Sequence, residues 1–186
     1  MPGFDFDAQA FFAVYGGAHG SFGPLMIAIT LFGGGWSALA LGPMLWHART
    51  RRFAAALAVA LAVQAVLVWS LKRAVGRVRP WIALGLPQPI GAPHDPSFPS
   101  GHAAGSFCVA AFLALALPAI RPTSPWLRSL VVGLVVVLAA LVALSRVYLG
   151  AHFPSDVVVG SLLGALVGAN GGRLYAAFAR GDSPIR

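Results

Sequence analysis

The amino-acid sequence predicts an all-α, polytopic membrane protein with about five transmembrane helices and a short interfacial helix at its N-terminus. Hydrophobic residues make up 58% of the 186-residue chain and charged residues only 10%, whereas soluble domains carry about 25% charged residues. In addition, five apolar stretches come close to the ~20 residues that cross a bilayer as a helix. A single transmembrane domain over residues 1–186 is therefore expected.

The five apolar stretches define the predicted spans, which lie at 23–46, 53–71, 102–118, 127–145 and 156–178. The first span is expected to be kinked, because it contains the Gly33–Gly35 run and the Gly42–Pro43 pair. Residues 4–20 are rich in aromatic side chains but too short to cross, which predicts an interfacial helix. The proline-rich connection 80–99 is predicted to be mostly irregular and to form a lid in the headgroup layer.

The positions of the basic residues predict how the spans are oriented. Most arginines fall on one side of the predicted spans, which should be cytoplasmic: Arg49, Arg51, Arg52, Arg121, Arg128, Arg173, Arg180 and Arg186. The remaining five basic residues fall on the opposite side: Lys72, Arg73, Arg77, Arg79 and Arg146. Cations at span boundaries on the translocated side are explained if that side binds an anion. A location in the inner membrane, with this face periplasmic or extracellular, is expected.

The high positive charge does not indicate a nucleic-acid-binding protein. The formal net charge is +8 and the pI is near 11.3, which is the range of such proteins. However, the basic residues stand in short breaks between apolar runs and form no polar face that could follow a duplex. Nucleic acid is therefore not an expected partner.

The first polar cluster runs from Lys72 to Arg79 and Pro80 at the end of the second span. Lys72, Gly76 and Arg79 would share one stripe of a continuing helix, with Gly76 leaving room beside the backbone. A straight helix would hold the two charges ~10 Å apart, so they would reach one phosphate only from opposite sides. A basic boundary that extends to lipid headgroups would have the same sequence.

The second cluster is Pro99-Ser100-Gly101-His102, at the start of the third span. Ser100 is well placed to cap the helix, and Gly101 allows a ligand to approach the backbone closely. The free amides at a helix start bind phosphate oxygens readily. Taken alone, Ser100 is equally compatible with a purely structural cap, and His102 with a structural polar residue.

The third cluster joins the fourth and fifth spans through Ser145, Arg146, His152 and Asp156. Pro154 suits the first turn of the fifth helix, which puts His152 at its entrance and Asp156 in its first turn. The four-residue spacing allows Asp156 to accept a hydrogen bond from one imidazole nitrogen, leaving the other as a nucleophile. Alternatively, Asp156 only interacts with the dipole of the helix.

Together the three clusters resemble the signature motifs of the phosphatidic acid phosphatase type 2 family, KxxxxxxRP, PSGH and SRxxxxxHxxxD. Residues 72–80, 99–102 and 145–156 match every motif position in the same order. The resemblance covers the half of the chain from 72 to 156 and implies a membrane-bound lipid phosphatase. The family also contains soluble acid phosphatases and vanadium haloperoxidases, so the motifs specify the phosphate chemistry better than the substrate. Its membrane members usually have six spans, one more than predicted here.

The resemblance implies a role for each matching residue. His152 would attack phosphorus and form a phosphohistidine, with Asp156 orienting the ring. His102 would protonate the leaving group and then assist water. The phosphoryl oxygens would be held by Lys72, Arg79, Ser100, the amide of Gly101, and Arg146. Fixed positive charge around these oxygens is what phosphoryl transfer requires.

No metal or other cofactor is expected. The chain has no glutamate, and of its five aspartates only Asp95 and Asp156 fall near the predicted site. A magnesium or two-metal centre needs more oxygen ligands than these. A zinc site formed by His94, Asp95 and His102 is disfavoured by its proline-rich setting.

The predicted function is metal-independent hydrolysis of a lipid phosphate or diphosphate. Candidate substrates are phosphatidate, phosphatidylglycerol phosphate, polyprenyl phosphates and diphosphates, and a lipid A phosphate. A phosphotransferase that passes the phosphoryl group from His152 to a second lipid is the main alternative. An anion-binding transporter is a further one, although the sequence shows no inverted repeat.

A stripe of small residues in the fifth span bears on oligomeric state. Gly160, Gly164 and Gly168 recur at four-residue spacing, which permits close contact between helices. The stripe is expected to pack inside the monomer, and a homodimer interface is the alternative.

Overall fold

A computed structural model describes residues 2–34, 41–48, 50–89, 94–120 and 124–181, without the side chains of residues 2–5, 120 and 181. Over these ranges the regular structure is entirely helical. The helices are α1 (Pro2–Phe12), α2 (Gly23–Leu31), α3 (Leu41–Trp46), α4 (Arg51–Val75), α5 (Pro80–Ala83), α6 (Gly101–Ile120), α7 (Pro125–Tyr148) and α8 (Pro154–Gly181). The predicted all-α class is confirmed.

Four helices, α4, α6, α7 and α8, are long and apolar enough to cross a membrane. They contain the predicted second to fifth spans, so the chain is a multi-pass membrane protein. Large apolar side chains remain exposed along them, for example Leu134 at 62% and Leu166 at 65%. Such side chains fit a lipid environment, where apolar surface needs no protein cover.

The predicted first span, 23–46, is not one continuous helix in the described residues. It contains two short helices, α2, which packs against α7, and α3, which packs against α4. Helix α2 ends just before Gly33 and Gly34, which is where the sequence predicts a kink, because glycine is a poor helix former. The kink predicted for the first span therefore has a counterpart at Gly33 and Gly34, and the continuity of the span stays a prediction. Gly35 and residues 36–40 lie outside the described residues.

Helix α1 covers part of the predicted interfacial segment 4–20. Phe11 is fully buried whereas Phe6 is 78% exposed, so the helix has one face on the protein and one face free. The ring of Phe11 packs against Tyr15 and Phe153, with centroids 5.1 and 5.7 Å away. Because Phe153 directly precedes α8, this contact fixes α1 beside the start of that helix.

The most extensive helix contact in the described chain joins α6 and α8. A Cβ on Gly164 or Gly168 would fall 1.9 or 2.1 Å from a carbonyl oxygen of α6, and one on Gly160 would fall 2.5 Å from the carbonyl of Ser100, just before that helix. Only glycine permits this approach, so the glycine stripe packs inside the monomer, as expected. The possible homodimer stays a prediction.

Backbone hydrogen bonds at one end of the bundle join the three motif segments. The Ser100 amide donates to the Asp156 carbonyl at 2.9 Å, which links the starts of α6 and α8. The Ser97 amide donates to the Arg77 carbonyl at 2.7 Å, which ties the connection before α6 to the segment after α4. The motifs therefore meet on one side of the membrane-spanning bundle.

Candidate active site

The end of α4 determines where the first pair of cations lies. Helix α4 ends at Val75, and Gly76 follows in the left-handed region at φ 63°. The predicted helical stripe of Lys72, Gly76 and Arg79 is therefore wrong, because the chain leaves the helix before Arg79. Nothing lies within 4 Å of a Cβ built at Gly76, so glycine is needed there for its φ angle and not for space.

Arg79 is held by several fixed acceptors. Its Nε donates to the Asp95 carbonyl at 2.8 Å, and its Nη1 donates to the Ala151 carbonyl at 2.9 Å. Nη1 also lies 3.3 Å from Nε2 of His152. Arg79 as a whole is only 2% exposed. Arg79 is thus a pre-positioned cation that faces the predicted nucleophile.

The predicted pair of His152 and Asp156 lies together, but with a hydroxyl beside it. Nδ1 of His152 is 3.7 Å from Oδ2 of Asp156, longer than a hydrogen bond. The Ser97 hydroxyl lies 3.4 Å from that nitrogen and donates to the carboxylate at 2.5 Å. The sequence predicts a direct hydrogen bond between His152 and Asp156. In the structure the Ser97 hydroxyl lies beside both side chains instead.

Asp156 lies beside His152 and also caps the start of its own helix. The sequence offered these as alternatives, and the structure shows both. Its Oδ2 accepts the Phe153 amide at 2.9 Å, at the start of α8. The side chain has no exposed surface. A buried carboxylate with fixed donors cannot turn freely, and it therefore defines the orientation available to the neighbouring imidazole.

The ionisation state of His152 suits a nucleophile. Burial lowers the pKa of His152 to about 4, and the charges of Arg79 and Arg146 act in the same direction, against the opposing effect of Asp156. A histidine whose pKa lies below its ordinary value is neutral at higher pH. The imidazole consequently keeps its lone pair throughout the neutral range.

The second motif lies at the start of α6, against the same site. Ser100 is fully buried, and its hydroxyl is 3.5 Å from the Ala103 amide, the position of a weak cap. Gly101 is the first residue of α6. His102 is partly buried. It lies close enough to His152 and to the cations Arg146, Arg79 and Lys72 to interact with them electrostatically.

Arg146 reaches the site from the end of α7. It is 7% exposed, and its Nη1 donates to the Thr30 hydroxyl of α2 at 2.6 Å. Its buried Nε has no hydrogen-bond partner among the described residues. Since buried donors are nearly always paired, this nitrogen has capacity for an additional acceptor.

Sequence reasoning missed a second arginine and its carboxylate. Arg77 donates to Oδ1 of Asp156 at 2.7 Å and to Asp7 of α1 at 2.6 Å. Asp7 also accepts the Ser155 hydroxyl at 2.5 Å. The sequence identifies Arg77 only as one of the five cations on this side, and it gives no role to Asp7. The sequence does contain one indication of this pair. Charged residues are scarce in this apolar chain, and a buried charge needs a partner of opposite sign.

Asp95 was considered only as a metal ligand, yet it pairs with the first-motif cations. Its carboxylate oxygens lie 2.7 Å from Arg79 Nη2 and 3.0 Å from Lys72 Nζ. Lys72 also donates to the Pro96 carbonyl. Burial would raise the pKa of Asp95, but the hydrogen bonds from Lys72 and Arg79 outweigh it and hold that pKa below its ordinary value.

Among the described residues, no three His, Cys, Asp or Glu side chains are grouped closely enough to hold a metal ion, and metal independence stays a prediction. The lid loop remains a prediction as well. Its start forms the short helix α5, and residues 90–93 lie outside the described ranges.

Comparison with known proteins gives consistent matches. A family model described as "PAP2 superfamily" matches residues 53–178. Decaprenylphosphoryl-5-phosphoribose phosphatase of Mycobacterium tuberculosis is 38% identical over 139 residues, which are 73% of this chain and 68% of that protein. Undecaprenyl-diphosphatase of Sulfolobus acidocaldarius is 32% identical over 122 residues, 64% of this chain and 53% of that protein.

A solved structure matches almost the whole fold. It is a transmembrane PAP2-type phosphatidylglycerolphosphate phosphatase from Bacillus subtilis, with a TM-score of 0.78 and 27% sequence identity. The match covers 98% of this chain and 89% of the other.

Proposed function

Because the chain belongs to the PAP2 superfamily, we propose that it is a lipid phosphatase that works through a phosphohistidine at His152. The observation that carries this proposal is the position of that imidazole. Its Nε2 faces Nη1 of Arg79 at 3.3 Å, and its Nδ1 faces the Asp156 carboxylate. A neutral imidazole held between a carboxylate and a cation is arranged to attack a bound phosphoryl group.

The first chemical step forms the bond between His152 Nε2 and phosphorus and breaks the bond from phosphorus to the ester oxygen. His102 gives its proton to the departing lipid oxygen. In the second step a water attacks phosphorus and gives a proton back to His102, while the nitrogen–phosphorus bond breaks. Inorganic phosphate leaves, and both histidines return to their starting states.

The phosphoryl oxygens would be held by Lys72, Arg79, Ser100, the amide of Gly101, and Arg146. Two features support this assignment. Arg79 is fixed by backbone carbonyls before any substrate arrives, so its charge needs no reorganisation during the reaction. Arg146 keeps a buried donor without a partner among the described residues, which a phosphoryl oxygen could satisfy.

The site is proposed to lie on the outer face of the inner membrane. The motif residues stand at the ends of α4 and α7 and at the starts of α6 and α8. The described arginines Arg51, Arg52, Arg128 and Arg180 stand at the opposite ends of these helices. Since cytoplasmic loops carry an excess of basic residues, the arrangement supports an outward-facing site.

The proposal is tested by phosphate release from purified lipid phosphates in detergent. His152→Ala should lower the rate at least about 10⁴-fold, as removal of a nucleophile does, while the melting temperature stays close to that of the wild type. His47→Ala is the matched control, because this exposed histidine lies before α4 on the other side of the bundle; it should retain full activity. Wild-type enzyme quenched with alkali should carry acid-labile phosphate on residue 152.

Two results would contradict the proposal. Full activity of His152→Ala in a metal-free buffer would exclude the nucleophile, and activity lost on adding a chelator would contradict the expected metal independence. Release of free phosphate from a single donor lipid is also expected. If phosphate left the donor only when an acceptor lipid was added, the chain would be a phosphotransferase.

A further inference from the structure

Asp95 is the exposed member of an otherwise buried cluster. Its side chain is 44% exposed, whereas those of Arg79 and Lys72 are 3% and 11% exposed. One carboxylate oxygen contacts each cation. The backbone around it is also fixed, because Arg79 Nε binds the Asp95 carbonyl and Lys72 binds the Pro96 carbonyl. Asp95 is therefore a fixed charge at the open side of the site.

Asp95 reduces the positive charge available to a substrate. Arg77 lies between two carboxylates, Asp7 and Asp156, so this group of three has a net negative charge and adds no positive charge to the side chains proposed to bind phosphate. The three proposed phosphate-binding cations remain, and Asp95 neutralises one of them, leaving two positive charges. A phosphate monoester carries about two negative charges near neutral pH, which matches this excess.

A diphosphate ester presents a different charge distribution. Its terminal phosphoryl group must reach His152, so the second phosphate has to remain on the open side with the rest of the lipid. The lowered pKa of Asp95 means that its carboxylate is ionised there. Two negative groups on the partly solvated side of one site repel each other.

We propose that Asp95 is a specificity-determining residue that makes the enzyme prefer lipid phosphate monoesters to lipid diphosphates. The inference rests on the proposed function and refines it by naming the substrate class. It concerns the charge of Asp95 and its exposed position, and it does not require the carboxylate to move when substrate binds.

The test uses one isoprenoid alcohol esterified either with phosphate or with diphosphate, so that the lipid tail is the same. Phosphate release gives kcat/KM for each. The wild type should favour the monophosphate, and Asp95→Asn should shift the ratio toward the diphosphate about tenfold, the size expected for one partly exposed charge near a second phosphate. The ratio cancels any damage to Arg79 or Lys72 that affects both substrates equally.

Asp95→Glu is the matched control, because it keeps the charge and should keep the monophosphate preference. A ratio unchanged by Asp95→Asn would overturn the inference, as would an equal shift in Asp95→Glu or a wild type that prefers the diphosphate. A wild type that releases phosphate neither from these two compounds nor from phosphatidate or phosphatidylglycerol phosphate would contradict the proposed function itself. Activity on both compounds with an unchanged ratio would remove only the role of Asp95.

Discussion

Arg77 and Arg79 are two residues apart, and both contact carboxylates, yet their surroundings differ in charge balance. Arg77 bridges Asp7 and Asp156, at 2.6 and 2.7 Å. Arg79 contacts one carboxylate, that of Asp95, together with neutral carbonyl oxygens and the ring of His152. The first arginine therefore lies among excess negative charge, and the second lies among excess positive charge.

The difference separates two tasks within one short segment. A cation shared by two buried carboxylates is required for those carboxylates to remain charged in a nonpolar interior. A cation whose neighbours are mainly other cations and neutral groups retains the capacity to bind an anion. Arg77 is accordingly expected to support the structure around Asp156, and Arg79 to act on the substrate. Substitutions at the two positions should affect different measurements.

Of the substitutions at the two arginines, Arg79→Gln is expected to have the larger effect on activity. Loss of a pre-positioned cation that faces the reacting phosphoryl group should lower kcat by about 10²–10³-fold. The melting temperature should fall less than in an Arg77 variant. The carbonyls of Asp95 and Ala151 lose a donor, but the only carboxylate of the described residues that loses this cation, Asp95, is 44% exposed and still contacts Lys72. Phosphate release and thermal unfolding of the purified variant in detergent check both parts. A strongly destabilised variant would contradict the division between the two arginines.

A stability effect is expected for Arg77→Gln. It leaves Asp7 and Asp156, which are 8% and 0% exposed, without their shared cation, at a cost of about 3–5 kcal/mol. The melting temperature should therefore fall far more than in the Arg79 variant. Adding Asp7→Asn should recover part of the loss, because one unpaired buried charge is removed, whereas Asp7→Asn alone should destabilise. Additive losses in the double variant would show that Asp7 and Arg77 are not coupled.

The same segment shows what the sequence could and could not predict. The three motifs correctly placed His152, Asp156 and Arg79 together, because each motif keeps its residues at helix ends that meet. The contact between Arg77 and Asp7 was beyond such reasoning, since the two residues are 70 positions apart and no periodicity connects α1 with the segment after α4. Similarly, no local pattern shows that Ser97 lies beside both members of the catalytic pair.

The form of the α4 terminus, in contrast, was predictable. A glycine in the left-handed conformation just after the last helical residue is a common end of a helix, and Gly76 takes this position, which rules out the helical stripe of Lys72 and Arg79. The break in the predicted first span has a comparable origin in Gly33 and Gly34. In both places glycine acts through its backbone freedom. The sequence predicts this effect at Gly33 and Gly34, whereas the helical stripe drawn through Gly76 leaves it out.

The smallest effect concerns this glycine. Gly76→Ala places a Cβ on a residue at φ 63°, which costs about 1–2 kcal/mol for an L-residue. Gly133→Ala is the matched control, because a Cβ there also meets nothing within 4 Å but Gly133 lies inside the helical α7. The control should match or exceed the wild type in thermal stability, since alanine is the better helix former. Because Gly76 sets the direction in which Arg77 and Arg79 leave α4, its substitution should also lower activity modestly. Equal melting temperatures for the two variants would show that the left-handed φ at Gly76 does not require glycine.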